Sequence, residues 1–337
     1  MKKLVITSIL SLIIFSNTNA EDLPNCSFWK AVNKYDNCIG EYKYENGTYK
    51  GAYIDGVPNG KGQFSNDKGE IYIGDFVNFK FEGLGTLKIE NGQKYSGEFK
   101  NGEFHGNGIF EWPDGQKYIG EFLEGKRHGQ GQMNWPDGGS HVGGYQNDLR
   151  HGYGKQIWPD GGIYEGQYLK GMKHGSATAI DGETKNKLVG EYIDDYFAKG
   201  TIYYSNGNVN IGEWDKDHKQ QGKGEYTWKD GPKYIGDFKD GEMTGYGELF
   251  YKNGDIYKGD FLNGKVHGVG TYTWEDGQTY QGEWKNDKKE GMGKITWPSG
   301  ASSYGPFKND LRHGAHDYTY KNGTKKKILY NNGKKVE

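Results

Sequence analysis

The sequence predicts an all-β fold, an elongated antiparallel meander of stacked hairpins, and three observations carry that prediction. Glycine supplies 57 of the 337 residues, against a usual share of about 7%. Tyr, Phe and Trp number 27, 15 and 9, while all hydrophobic residues together reach only 33%. A pattern of aromatic, any residue, glycine recurs about every 23 residues along most of the chain. So few aliphatics cannot fill the two conventional cores that this length would suggest. So many rings, with a net charge of only −2, also argue against disorder. Collagen is excluded, because there are 8 prolines and no Gly-X-Y period.

The period is counted from Tyr49, Tyr72, Tyr95, Tyr118, His141, Tyr164, Leu188, Asn210, Tyr234, Tyr257, Tyr280 and Ser303, with a final half-unit from Lys326. Most units carry a second glycine pair, as at Gly106 and Gly108, then an aromatic and a turn such as Trp112-Pro113-Asp114-Gly115. Gly40, Tyr42, Tyr44 and Gly47 supply the second half of an earlier copy. The repeat therefore fills 38–333 and leaves no room for a separate catalytic domain. Each unit reads as a hairpin. Tyr95, Gly97 and Phe99 alternate with Ser96, Glu98 and Lys100, so period two puts rings and glycines on one face and mainly polar side chains on the other. Asn101-Gly102 and Pro113-Asp114-Gly115 provide the turns. Glycine inside a strand weakens it, so its recurrence is expected to make room for a ring lying over the backbone. One hairpin is marginal alone, and stacking buries its face on the next copy. About 24 strands at roughly 4.8 Å spacing would give a rod near 115 Å long.

Tyr118-Ile119-Gly120-Glu121-Phe122 followed by Gly125-Lys126-Arg127-His128-Gly129-Gln130-Gly131 resembles the MORN repeat, as does Tyr257-Lys258-Gly259-Asp260-Phe261 with His267-Gly268-Val269-Gly270. About twelve copies share the resemblance over nearly the whole chain. It implies an elongated, twisted antiparallel sheet acting as scaffold or binding surface. It also implies roles in membrane attachment, in dimerisation, or as an accessory to kinases or methyltransferases, and neither of those catalytic domains is present in this sequence. Copies six and seven depart from the pattern, with Ala177, Ala179 and Asp181 where glycines and bulky residues belong and Leu188 in place of Tyr. The stretch 176–209 is thus read either as drift or as a hinge between half-arrays 38–175 and 210–333.

Lys2 and Lys3, the apolar run Leu4 to Phe15, and the small residues ending at Ala20 read as a secretory signal over 1–20. The run is too short for the roughly 20 apolar residues of a membrane span. Its removal takes two lysines from the 43 basic side chains and leaves the 45 acids, a balance without general attraction for nucleic acid or anionic lipid. The destination is then the periplasm, the cell envelope or the extracellular space. Residues 21–37 form an N-terminal cap and 334–337 a tail. Cys26 and Cys38, the only cysteines, would meet oxidising conditions. A disulfide between them is expected to pin Phe28 and Trp29 over the first strand. A lipid on Cys26 would require that cysteine at the cleavage point, and free thiols are the other alternative.

No cofactor, metal or catalytic constellation is indicated. His105, His128, His151, His174, His267 and His313 share one repeat position, but equivalent atoms two strands apart are roughly 10 Å distant, too far to share a zinc ion. A side chain bonded to local backbone is expected instead. Gly120 to Lys126 and Gly259 to Lys265 match a phosphate-binding loop up to its lysine, yet Arg127 or Val266 follows where Ser or Thr is needed. The chain is therefore read as a non-enzyme that binds. Three surfaces compete: the aromatic face, the open ends of the sheet, and a basic ridge at the hairpin tips. Lys126, Arg127, Arg150, Lys173 and Arg312 are the candidate ligand contacts on that ridge, with Lys288 and Lys289 beside them. A protein partner or a second copy ranks first, an anionic membrane surface second and a glycan third. Lys325, Lys326, Lys327, Lys334 and Lys335 would guard the last strand against uncontrolled pairing.

Overall fold

The structure is a computed structural model, which describes residues 23–27 and 31–336. Residues 1–20, read as a signal, and Phe28 and Trp29 lie outside the described residues. The described chain is all-β: 28 strands and one 3-10 turn at Val32–Lys34. Among the described residues no helix is long and apolar enough to cross a membrane. Two compact units divide at Met133 and Asn134. In the first, strands from Cys38–Tyr44 to Lys126–Asn134 pair in chain order, each antiparallel to the next. In the second, the strands from Ser140–Gln146 to Lys334–Val336 also form an antiparallel meander. There Leu311–Arg312 and Gly314–Thr319 both pair with Ser302–Lys308.

The hairpin Lys94–Lys100 with Glu103–Glu111 shows how the repeat builds itself. Asn101 and Gly102 have φ of +53° and +91°, the positive pair that a tight primed turn needs. Tyr95 pairs with Phe110, Gly97 with Gly108 and Phe99 with Phe104. The register slips between Gly97 and Glu98, leaving Gly106 and Asn107 without partners in Lys94–Lys100 while they pair with Phe122 and Glu121 of the next strand, a bulge that bends and twists the strand. Tyr95, Gly97 and Phe99 are buried, which places rings and glycines on one face as their alternation predicts.

The two glycines of the pair do different work. A Cβ on Gly108 would sit 2.4 Å from the Tyr95 hydroxyl oxygen and 2.5 Å from its ring, and one on Gly97 would sit 2.5 Å from the Cα of Gly108. Gly97 and Gly108 thus form the cradle in which the ring lies flat on backbone. Gly106 contributes nothing to that cradle; its φ is +52°, and it makes the bulge. Glu98 holds that bulge, its Oε1 accepting the backbone N–H of Asn107 at 2.9 Å. Glu121, Asp260 and Glu283 accept from Gln130, Val269 and Met292 in the same way.

Rings then pack on rings. Tyr95 lies edge-on to Phe99, 5.0 Å between centroids, and to Phe122 of the next repeat at 5.1 Å. Tyr72 meets Phe76 and Phe99, Tyr257 meets Phe261 and Trp284, and Tyr280 meets Trp284 and Phe307 in the same geometry. Such pairs add about 0.5–1.5 kcal/mol each beyond burial, and they replace the missing aliphatic core. At the hairpin tips Gly102 donates to Phe81 O, and Asp310 to Lys289 O, tying each repeat to the one before.

Cys26 and Cys38 are joined, with 5.1 Å between their Cα atoms. Cys26 also bridges to Ile39 through its N–H. Inside this loop Tyr35 packs edge-on to Tyr53 at 5.1 Å, so a ring of the cap continues the aromatic stack.

Candidate binding face

Most repeats spend their tyrosine and its paired glycines on building the sheet, and Glu98, Glu121, Asp260 and Glu283 are spent on the bulge, so candidate contacts must come from what is left on the two faces. The outer face carries cross-strand ion pairs such as Lys61–Asp75 at 2.6 Å, Lys223–Asp237 at 2.7 Å and Lys258–Glu248 at 2.9 Å. It is less polar than its alternation suggests, because Ile73, Tyr153, Tyr246 and Val269 lie exposed there.

The basic residues do not form one ridge. Lys126 and Lys288 are exposed, whereas Arg127, Arg150, Lys173, Lys289 and Arg312 are half-buried on the aromatic face. Successive residues of a strand point to opposite sides, so Lys126 and Arg127 part company. The inward position is the one where Phe104 stacks on Tyr95 at 4.0 Å. Where the residue is basic, the cation takes the place of that ring. Arg127 lies over Tyr118 at 5.7 Å and Arg150 over Tyr168 at 4.8 Å. Lys173 Nζ is 4.9 Å from Trp158 and 5.4 Å from Tyr164. Lys289 Nζ is 4.8 Å from Trp274 and 5.4 Å from Tyr280, and Arg312 is 5.3 Å from Trp297 and 5.4 Å from Tyr330. Burial between rings holds the ammonium groups of Lys173 and Lys289 below the usual lysine range.

Acids beside these cations are engaged with backbone. Asp195 accepts the N–H of Lys173 at 2.8 Å and Asp310 that of Lys289 at 2.9 Å, while Glu290 accepts the N–H of Asn309. The acids of the repeat turns bond locally as well: Asp114, Asp137, Asp160 and Asp276 each accept a backbone N–H two residues on.

Histidine needs a correction. At the shared position it is the backbone carbonyl that works, His105 O accepting the Tyr95 hydroxyl at 3.2 Å. The ring Nδ1 atoms of His128 and His267 are buried without a hydrogen-bond partner, and that of His174 lies 3.6 Å from Asp194 Oδ1, beyond hydrogen-bond distance. His313 is different, its Nδ1 accepting the N–H of Asn332 at 3.4 Å. Among the described residues no group of three or more His, Cys, Asp or Glu is placed to hold a metal ion.

Where the repeat tyrosine is lost, the space is refilled locally. His141 occupies the tyrosine cradle itself and is fully buried. Ser303 leaves a gap that His316 fills from the returning strand, its Nε2 2.8 Å from Pro306 O and its Nδ1 3.2 Å from Ser303 Oγ. Asn210 is answered by Gln220, whose Nε2 donates to Ile211 O at 3.1 Å. These substitutions are packing solutions.

The MORN-repeat profile matches ten tandem segments: 49–70, 72–94, 95–117, 118–140, 141–163, 164–180, 211–233, 234–256, 257–279 and 280–302. The chain belongs to the MORN-repeat family. The segments skip 181–210, yet strands Lys187–Ile193 and Tyr196–Tyr203 pair there as an antiparallel hairpin, with a shorter bulge that leaves out Ala198 alone where Lys94–Lys100 leaves out two residues of its partner. No curated protein matches the chain. Among solved structures it is similar to the TCP10 domain of Danio rerio CPAP in complex with a peptide of Danio rerio STIL. That match has 9% identity, covers 81% of this chain and 97% of that one, and has a TM-score of 0.19. It is also similar to virginiamycin B lyase from Staphylococcus aureus, at 11% identity, 66% and 68% coverage and a TM-score of 0.14. Scores this low carry no argument about function.

Proposed function

We propose that this MORN array is a non-catalytic scaffold that presents its aromatic face to a protein partner. The observation that carries the reading is the placement of half-buried Trp158, Trp274 and Trp297 beside cations on one face, packed against the tyrosine core with part of each ring left open. Aromatic and arginine side chains are the usual anchors of protein interfaces. Anionic lipid is the second reading. It draws on exposed Lys126 and Lys288 of the outer face, where each charge near a membrane is worth about 1 kcal/mol. Glycan binding would use the same tryptophans by stacking.

Export and an envelope location are part of the proposal and rest on residues 1–20. Mass spectrometry of the protein recovered from its native host should find Glu21 at the mature N-terminus; a retained Met1 refutes export by this route. The main test is flotation of the purified chain with anionic and neutral vesicles at physiological salt, run beside capture of partners from the native envelope. A reproducible protein partner without vesicle binding is the expected result. Binding to anionic vesicles with no protein partner would replace the first reading by the second.

A further inference from the structure

Two cation pairs on the aromatic face of the second unit share one geometry. Arg150 and Lys173 lie two strands apart across Ile163–Leu169, and Lys289 and Arg312 lie two strands apart across Ser302–Lys308. Strand spacing sets each pair roughly 10 Å apart along the sheet. The pairs differ in how far their hydrogen bonds are used. Arg150 donates to Gly171 O at 3.1 Å and to Gln156 Oε1 at 3.3 Å, whereas Arg312 Nε is buried with no hydrogen-bond partner. Arg312 and Lys289 are flanked by Trp274, Trp284 and Trp297. Asp310, the carboxylate that draws on Lys289, has Oδ1 occupied by the Lys289 N–H.

This surface asks for two carboxylates about 10 Å apart on one side of a chain that also offers flat apolar groups to tryptophan. A β-strand cannot supply them, because its same-side residues are roughly 6.7 or 13.4 Å apart. A polyproline II helix can: same-side residues recur every third position, at about 9.3 Å, and proline rings dock on aromatic surfaces. We propose that Lys289 and Arg312, with their tryptophan rim, bind an acidic segment of the partner in polyproline II conformation, its carboxylates three residues apart. The inference rests on the protein-binding reading above and makes the partner's chemistry specific. A flat anionic bilayer fits less well, since these cations are half-buried among rings and the exposed lysines face the other way.

The test uses the purified full chain and two labelled synthetic peptides, a Glu-Pro-Pro repeat and its Gln-Pro-Pro counterpart, followed by fluorescence anisotropy. The Glu form should bind, the Gln form at least about 30-fold more weakly, the effect of losing charge-assisted hydrogen bonds. Lys289→Met with Arg312→Met should remove that preference. Met243 and Val266 occupy the same place in neighbouring repeats, so the double variant should keep its fold, checked by an unchanged melting temperature. Equal binding of the two peptides, no binding of either, or a preference that survives the double variant overturns the proposal. If the chain still captures a protein partner in that case, the scaffold reading stands. If it captures none and binds anionic vesicles, both fail.

Discussion

At the scale of single residues, the cradle of Gly97 and Gly108 under Tyr95 decides what the repeat tolerates. Gly108→Val forces a branched side chain into a ring that has no room to move, a cost of about 3 kcal/mol or more. Glu111→Gln only weakens exposed pairs with Lys94 and Lys117 and should stay within about 0.5 kcal/mol. Thermal unfolding of the two variants separates them, and equal shifts would mean the faces are wrongly assigned. His141 gives a pH prediction. Burial, aided by Arg150, lowers its pKa from 6.5 to about 4. The unfolded chain therefore takes up a proton near 6.5 that the folded chain refuses until about 4. Stability from this group is fully present above pH 6.5 and is lost as pH falls toward 4, by about 3 kcal/mol in all. His141→Tyr should remove that part of the acid sensitivity and place a hydroxyl against the Gly144 carbonyl, as Tyr95 does against Glu98. Urea melts at pH 7 and 4.5 measure it, and an unchanged pH slope would contradict the buried neutral imidazole.

At the scale of the element, the hairpin was almost wholly legible in the sequence, because period two and Asn-Gly turns are local signals. The bulge was not. Gly106 looks like one more glycine of the aromatic face, and only the paired register shows it in left-handed conformation with Glu98 closing the bulge. Glu98→Ala should cost about 1 kcal/mol and raise amide exchange at Asn107 specifically; protection unchanged there would refute the clamp. The inward cations were legible in principle, since Arg127 shares the parity of Gly129 and Gly131. Grouping residues by charge along the hairpin tips hid that parity. Residues 176–209 are proposed as a hinge on sequence grounds. Amide exchange faster there than in 234–302 is the expected mark, and equal protection would leave only drift.

At the scale of the whole molecule, repetition explains why fold and function were unequally legible. Ten matching segments and a 23-residue period leave little freedom in how the chain folds. What binds is written in the positions where repeats differ, and those need the faces to be known first. The proposed partner site lies on the aromatic face, and photo-crosslinking is its sharpest test. A benzophenone amino acid is placed at Trp158 or Trp274 on that face, and at exposed Tyr153 or Tyr246 on the other, in protein expressed in its native host. A partner on the aromatic face gives one discrete protein adduct from Trp158 and Trp274 and none from Tyr153 and Tyr246; the same adduct from Tyr153 and Tyr246 alone would rule that face out.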